Sequence, residues 1–265
     1  MKVVVSLPVH ERPEIVINQI QNVQYYMPEA VIVLHISAFF EWNGTENMNV
    51  FKLDNVLINP ERIPTVYGQG MLPDVHNSNF KFALKNTDFD YFTMHSSNDM
   101  FIKNGVKEYI ANYDAGVNQM MVQIHTDWPQ KLFAEKDPVL AQLMKHLNIP
   151  EMIGSQIEGT FYKTEIFKEM VEEIERFYSY KIEGIPYYAR EELYYPIVAS
   201  KFVKNFGIPY TYMKLDGPIP IDMIDDIRSN NIMPDIYNVK RVLRDMSNPV
   251  RVYINSLMTS TQTSA

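Results

Sequence analysis

Two short apolar runs with one amphipathic segment between them constrain this chain most. Val3 to Leu7 and Ala30 to Ile36 are almost free of polar residues. Strands covered on both faces read this way, as those of a parallel sheet do. Between them, Glu14 to Tyr26 sets Ile15, Ile17, Ile20 and Val23 at the spacing of a helix. A strand, a helix and a second parallel strand require a right-handed crossover. The start of the chain therefore points to an α/β fold.

The remaining pattern extends that fold. Asn55 to Asn59 reads as a third strand, residues 74 to 86 as a helix, and Phe89 to His95 as a fourth strand. A helix over Lys103 to Tyr113 and a strand over Gln119 to His125 follow. Pro138 to Leu147 is a helix stopped by Asn148-Ile149-Pro150, and Glu165 to Tyr178 is a strongly periodic one. Glu191 to Phe206 reads as a further helix ended by Gly207-Ile208-Pro209, and Asp235 to Met246 as the last core helix. Residues 218 to 235, with three prolines, read as irregular, as do Phe39 to Met48 and the loop Tyr67-Gly68-Gln69-Gly70. The expected organisation is one domain over 1–255. Its first part, 1–125, is a nucleotide-binding half built on a mostly parallel sheet flanked by helices. Its second part, 126–255, is a more irregular helical acceptor and catalytic half. Residues 256–265 read as a frayed tail.

Composition narrows the chemistry. The 265 residues suit one large domain, and 46% hydrophobic content suffices for a core. A net charge of −8 argues against a nucleic-acid partner, though not against a local basic pocket. With no cysteine, disulfides, thiolate metal sites and a cysteine nucleophile are excluded. The start has no signal-peptide core, and no apolar run of ~20 residues occurs, so a cytoplasmic protein without an integral membrane segment is expected. Asn43-Gly44-Thr45 fits a glycosylation acceptor but reads as a plain turn.

Three places could carry chemistry. The fourth strand ends abruptly in Ser96-Ser97-Asn98-Asp99, and ligands of α/β sheets bind outside the carboxyl ends of strands. The same small polar residues are turn formers. The loop after the first strand carries His10, Glu11 and Arg12 but no glycine-rich phosphate motif, and His10 reads equally as an exposed loop histidine. Glu191-Glu192 opens a helix among Tyr187, Tyr188, Tyr194 and Tyr195. Acidic residues suit a first helical turn, and a carboxylate near aromatic rings can also have its pKa raised toward that of a general base. Lys240 and Arg241, with Arg244 and Arg251 beyond, could neutralise a diphosphate or simply form a solvated face. Asp88 and Asp90 precede the fourth strand and read as a solvated turn, and the scattered histidines offer no metal-ligand spacing.

In order and spacing these segments resemble the core-2/I-branching N-acetylglucosaminyltransferases and their bacterial relatives. SLPVHERPE resembles that family's first strand and His-x-x-Pro loop, and VIVLHIS its second strand, which typically ends V-H-V-D. NVLINPERIPTVYGQG is similar to its N-V-x-x-x-x-R…W-G-G segment, and DFDYFTMHSSNDMFIKN to D-Y-F-x-L-L-S-G-x-D-x-P-I-K-S. EGTFYKTEIFKEMV resembles G-S-x-x-F-x-L-T-R-E-x-V, and REELYYPIV the D-E-x-x-x-x-T helix. The resemblance spans roughly residues 3 to 245 and departs from the family at Ser37, Tyr67 and Ser97-Asn98, as a distant bacterial or viral-type member would.

The resemblance implies a GT-A fold and inverting transfer of a sugar from a nucleotide-sugar donor, with a UDP-sugar favoured, to a hydroxyl of a glycan or glycolipid in polysaccharide biosynthesis. It implies no cofactor and no divalent metal. Glu192, beside Glu191, falls on the catalytic base, and Lys240 on a diphosphate ligand, with Arg241 or Lys214 as its basic partner. Pro8, His10, Arg12, Ser37, Tyr67, Gly68, Ser96, Ser97, Asn98 and Asp99 fall on the donor side. Glu158, Tyr187 and Tyr188 fall on the acceptor side. Two alternatives stand beside this reading: a metal-dependent transferase using Asp99, and a catalytically inactive protein that binds a sugar nucleotide or glycan.

Overall fold

The structure is a computed structural model that describes residues 1–10, 12–40, 53–65, 71–122, 128, 130–214 and 216–259. The expected strand–helix–strand opening is present as β1 (Val3–Val9), α1 (Pro13–Tyr26) and β2 (Val31–Ile36). Pro13 starts α1 at a position where a backbone N–H has no helical partner. β3 (Val56–Ile58), α2 (Leu72–Asn86), β4 (Tyr91–Met94) and β5 (Asp99–Phe101) follow. Next come α3 (Val106–Ile110), β6 (Ala115–Gly116), β7 (Met120–Met121), α4 (Lys131–Ala134) and α5 (Pro138–Leu147). The second half contributes β8 (Ile153–Gly154), β9 (Phe161–Lys163), α6 (Thr164–Phe177), α7 (Glu191–Phe202) and β10 (Phe206–Gly207). It closes with β11 (Thr211–Met213), α8 (Ile221–Arg228), β12 (Asn238–Lys240) and α9 (Pro249–Thr259).

Seven strands form one sheet in the order β10-β6-β9-β4-β1-β2-β3. All run parallel except β9, which is antiparallel to both β4 and β6. The sheet therefore draws strands from both halves of the chain. A smaller sheet, β11-β12-β5, stands at the carboxyl end of β4, and β7 pairs with β8. The result is an α/β fold of GT-A-like type.

Apolar residues alternate to both faces of the sheet. On one face Phe80 of α2, Phe92 of β4 and Phe167 of α6 pack with ring centroids 4.8 to 5.2 Å apart. Aromatic pairs at this spacing contribute about 1 kcal/mol each beyond their buried area. On the other face Val16, Ile20 and Val23 of α1 cover Val5, Leu7 and Phe101. A third cluster joins Met100, Ile224, Ile227, Val239, Val242 and Ile254 around the small sheet. The inner face of α2 is partly polar. His76 and Asn79 both hydrogen-bond the Ser6 hydroxyl, at 2.8 and 2.9 Å, so buried polar groups there are paired within the fold.

The structure corrects three expectations in the second half. Residues 235 to 246 are not a helix. Ile236, Val239 and Val242 are spaced as on a helix, but the segment pairs as β12 between β5 and β11. Arg241 then takes φ +73°, which no helix accommodates. The stretch 218 to 235 is not wholly irregular, since α8 occupies Ile221–Arg228 after Pro220. The helix from Glu191 ends at Phe202, and Phe206-Gly207 returns to the main sheet as β10. Tyr113 packs within 2.7 Å of where a side chain on Gly207 would sit. Among the described residues no helix is long and apolar enough to cross a membrane. The Asn43-Gly44-Thr45 pattern, residues 123 to 125 of the strand expected over 119 to 125, and residues 260–265 lie outside the described residues.

Candidate active site

The carboxyl end of β4 is built by Asp99. Its Oδ2 accepts the Ser96 N–H at 3.0 Å, and its Oδ1 bonds His95 Nδ1 at 2.9 Å and accepts from Gln19 Nε2 at 3.0 Å. His95 Nε2 continues to the Tyr210 hydroxyl at 2.6 Å. Asp99 is 1% exposed, and both of its oxygens are engaged inside the turn. Asp99 thus shapes the turn from behind. Ser97 is 2% exposed and its Oγ accepts from Arg244 at 3.0 Å, while Asn98 is half-buried.

Glu192 sits in the first turn of α7. Pro196, inside that helix, has no N–H to offer the Glu192 carbonyl four residues back. The Ser155 N–H donates to that carbonyl instead, at 2.9 Å. A proline thus ties the first turn of α7 to the loop 155–160. Gln156 braces the same loop by donating to the carbonyls of Glu158 and Thr211, at 3.0 and 2.5 Å. Gly159, at φ +75°, passes so close to Thr211 that an added Cβ would lie 2.3 Å from its hydroxyl. Only glycine suits both the left-handed backbone and that approach.

This bracing brings three carboxylates and a lysine together. Glu192 Oε2 accepts from the Trp128 indole at 2.9 Å. Glu158 forms an ion pair with Lys240. Burial first and the Glu158 charge second push the Glu192 pKa up to about 7, while the Trp128 hydrogen bond and Lys240 oppose the rise. Glu191 is more deeply buried, and its Oε2 has no hydrogen-bond partner. Burial, then the charges of Glu192 and Glu158, push its pKa up to about 8. A half-buried carboxylate poised near neutrality can take a proton from an incoming hydroxyl.

Arg241, the next residue after Lys240, faces a different space. A cavity of about 500 Å³ is lined by Asn98, Gly217, Pro218, Arg241, Leu243 and Arg244. Its floor is held by the Val242 N–H, which donates to the Asn98 carbonyl at 3.0 Å. Arg251 clasps the Leu243 carbonyl at 2.9 Å, and Arg12 reaches the Arg244 carbonyl at 3.4 Å. The left-handed backbone of Arg241 is uncommon for a non-glycine residue and sends successive basic side chains to two neighbouring places. The chemistry of the cavity suits an anion.

Of the residues singled out in the sequence, Glu158, Glu191, Glu192 and Lys240 meet in one cluster, and Asn98 and Arg241 line the adjoining cavity. Several others stand elsewhere. Tyr188 is 1% exposed and donates to the buried Asp137 carboxylate at 2.8 Å beside Arg190, within the core. Tyr187 is 63% exposed and lines a separate cavity of about 300 Å³ with Tyr180, Ile182 and Arg190. Ser37 is buried, and its hydroxyl accepts the Thr65 N–H at 3.1 Å, so it fastens the loop after β2 rather than facing a ligand. Pro8 is buried within β1, and Lys214 pairs with Asp216 at 2.7 Å. His10 is exposed, and Ser96 bonds Asn98 at 2.9 Å. Tyr67 and Gly68 lie outside the described residues. Trp128 was not among the expected site residues. Trp128 is one of two tryptophans and stands in a stretch without periodicity, which is the signal that marks it. Among the described residues no group of three or more His, Asp or Glu side chains is placed to hold a metal ion.

No protein-family model matches the sequence, and no curated protein matches it. Among solved structures, the fold is similar to that of an active-site mutant of LgtC, with a TM-score of 0.51 and 11% identity over 98% of this chain and 96% of that one. The galactosyltransferase LgtC with donor and acceptor sugar analogues gives a TM-score of 0.49 at 11% identity, covering 98% and 96% of the two chains. S. aureus TarS gives 0.46 at 13% identity, and this chain spans 40% of its length. At such identities the likeness to the LgtC mutant establishes the fold alone.

Proposed function

We propose that this chain is an inverting glycosyltransferase that moves a sugar from a nucleotide-sugar donor to a hydroxyl of a glycan or glycolipid acceptor without a divalent metal. The observation that carries the reading is the position of Glu192. Its carboxylate is held by Trp128 and lies in one charge cluster with Glu158 and Lys240, and the residue after Lys240, Arg241, lines an arginine-bearing cavity. The GT-A-like sheet puts both places at the carboxyl ends of β1 and β4, where α/β sheets bind ligands.

In this reaction the acceptor oxygen attacks the anomeric carbon on the face opposite the leaving group, and Glu192 takes the hydroxyl proton as the new C–O bond forms. The old C–O bond breaks toward the phosphate, and the diphosphate leaves with the electron pair. Arg241, Arg244 and Lys240 stabilise the charge that develops on it. A UDP-sugar is the favoured donor. The full engagement of Asp99 within its own turn supports the metal-independent version over a metal site there.

The test combines binding and turnover. Thermal shift with UDP-, GDP-, CMP- and dTDP-sugars, with and without EDTA, identifies the donor, since a ligand of the folded state raises its stability. Glu192→Gln is expected to retain donor binding and lose transfer by about a thousandfold or more. Wild-type turnover in that variant removes Glu192 as the base, and activity abolished by EDTA removes the metal-independent mechanism.

A further inference from the structure

Residues 178–190 join α6 to α7 without a helix or strand of their own. They wrap a second cavity, of about 300 Å³, lined by Tyr178, Tyr180, Ile182, Glu183, Tyr187 and Arg190. The segment is fastened at two points. The Tyr180 N–H donates to Asp74 Oδ1 of α2 at 3.0 Å, and the Ala189 N–H donates to the Gln130 side chain. Between them Ile182 and Tyr187 are left in water, and large apolar side chains exposed together mark a contact surface. Arg190 closes the cavity from the core side. Its Nε pairs with the buried Asp137 at 3.4 Å, and its guanidinium lies over the rings of Tyr178 and Tyr188, 5.4 and 5.0 Å from their centroids. Its charge is thus balanced within the protein, and the exposed Glu183 adds a negative one to the lining. The cavity therefore suits a neutral ligand rather than a diphosphate.

We propose that this cavity is a subsite for one neutral pyranose ring of the acceptor, next along the chain from the ring whose hydroxyl reacts, so that the acceptor is an oligosaccharide or polysaccharide rather than a single sugar. The inference rests on the transferase reading above and narrows its acceptor. A pyranose carries C–H bonds on its faces and hydroxyls at its edges. The exposed ring of Tyr187 and the neighbouring Tyr180 take the faces, and the Glu183 carboxylate accepts from the edges. The volume lies at the lower end of the range for ligand pockets, about 300 to 1,000 Å³, which suits one ring and not a whole chain. The cavity also communicates with the base through one side chain. The Tyr188 ring, under the Arg190 guanidinium, packs edge-on against Trp128 with centroids 6.4 Å apart, and the Trp128 indole holds Glu192. Arg190 directly precedes Glu191 in the chain. A ring bound here is thus tied to the same first turn of α7 that presents the base.

The test is saturation-transfer NMR on the intact protein with maltohexaose, cellohexaose and chitohexaose, beside glucose and N-acetylglucosamine. At least one of the longer sugars is expected to bind, and more tightly than either monosaccharide. Tyr187→Ala is expected to weaken that binding about tenfold, while Tyr187→Phe retains it, because the ring face and not the hydroxyl is the platform. Tyr187 is mostly exposed, so both variants are expected to melt as wild type does. Failure of all three longer sugars to bind, or equal binding by a folded Tyr187→Ala protein, overturns the subsite, and nucleotide-sugar binding by the same protein then leaves the transferase reading standing. Displacement of the bound sugar by UDP also overturns the subsite, because the cavity would then hold the donor's base. Tyr187-dependent binding in a protein that binds no nucleotide sugar removes the transferase reading and keeps the cavity as a glycan site.

Discussion

The Ser155 N–H donates to the Glu192 carbonyl at 2.9 Å, in the place that the proline at 196 leaves open. A helix-breaking residue is here a positioning device, because it lets the loop carrying Glu158 bind the first turn of α7. Pro196→Ala supplies an N–H that competes for the same carbonyl. The variant is expected to keep or raise its melting temperature, since proline costs about 3 kcal/mol inside a helix. Its turnover is expected to fall about tenfold as the base shifts against the loop. Paired thermal melts and kinetic assays check this, and unchanged turnover would show that the tie to Ser155 does not place the base.

Trp128 and Glu192 fix the pH dependence. Transfer requires ionised Glu192, whose pKa burial and Glu158 push up to about 7, so the rate should rise with pH through that value. Trp128→Phe keeps the packing against Tyr188 but removes the indole donor that favours the ionised carboxylate. The acid limb of the rate profile is then expected to move to higher pH, with a loss of about tenfold at pH 6 and little loss at pH 9, as one hydrogen bond to a charged group of ~1.5 kcal/mol implies. A profile that keeps its midpoint would separate the indole from the base.

Glu191 is placed to reduce stability at high pH. Burial and the neighbouring carboxylates push its pKa up to about 8, well above its unfolded value of 4.5. A group raised on folding gives its full stabilisation below the unfolded value and loses it as pH rises through the folded one. Wild type should therefore lose stability between about pH 4.5 and pH 8. Glu191→Gln, which is never charged, is expected to be more stable than wild type at pH 9, by a few kcal/mol at most. Urea unfolding at pH 5 and pH 9 measures the difference, and an equal effect at both pH values would contradict it.

The parts of the fold read correctly from sequence are those in which local pattern and tertiary role agree. β1, α1, β2 and α5 match because apolar runs, helical spacing and the Asn148 stop all point one way. The region from 235 to 246 failed because Ile236, Val239 and Val242 have helical spacing, while pairing with β5 decides the outcome. Strand pairing across more than a hundred residues leaves no local mark. Glu192 was visible as a carboxylate among tyrosines, and Lys240 through the family resemblance. Trp128 carried only a weak mark, a rare indole in an aperiodic stretch, and its contact with Glu192 is what distinguishes it. A carboxylate at a strand end, such as Asp99, reads alike in sequence whether it faces a ligand or ties its own turn, and only the structure shows the tie.

The final prediction concerns the two arginines of the cavity, which act by different means. Arg241 lines the space from a left-handed backbone, whereas Arg244 is also bonded to Ser97 at 3.0 Å and so braces the SSND turn. Arg241→Ala keeps the unfavourable φ while removing one cationic side chain from the cavity. Nucleotide affinity is expected to fall about tenfold to a hundredfold, the size of one charge-assisted hydrogen bond. The remaining affinity should become less sensitive to salt, because one fewer charge takes part. Arg244→Ala should produce the same loss of affinity together with a lower melting temperature, as the Ser97 hydroxyl loses its donor. Titrations with UDP at low and high salt, beside thermal melts, separate the two roles. An Arg241→Ala protein that binds UDP as wild type does would move the diphosphate out of this cavity.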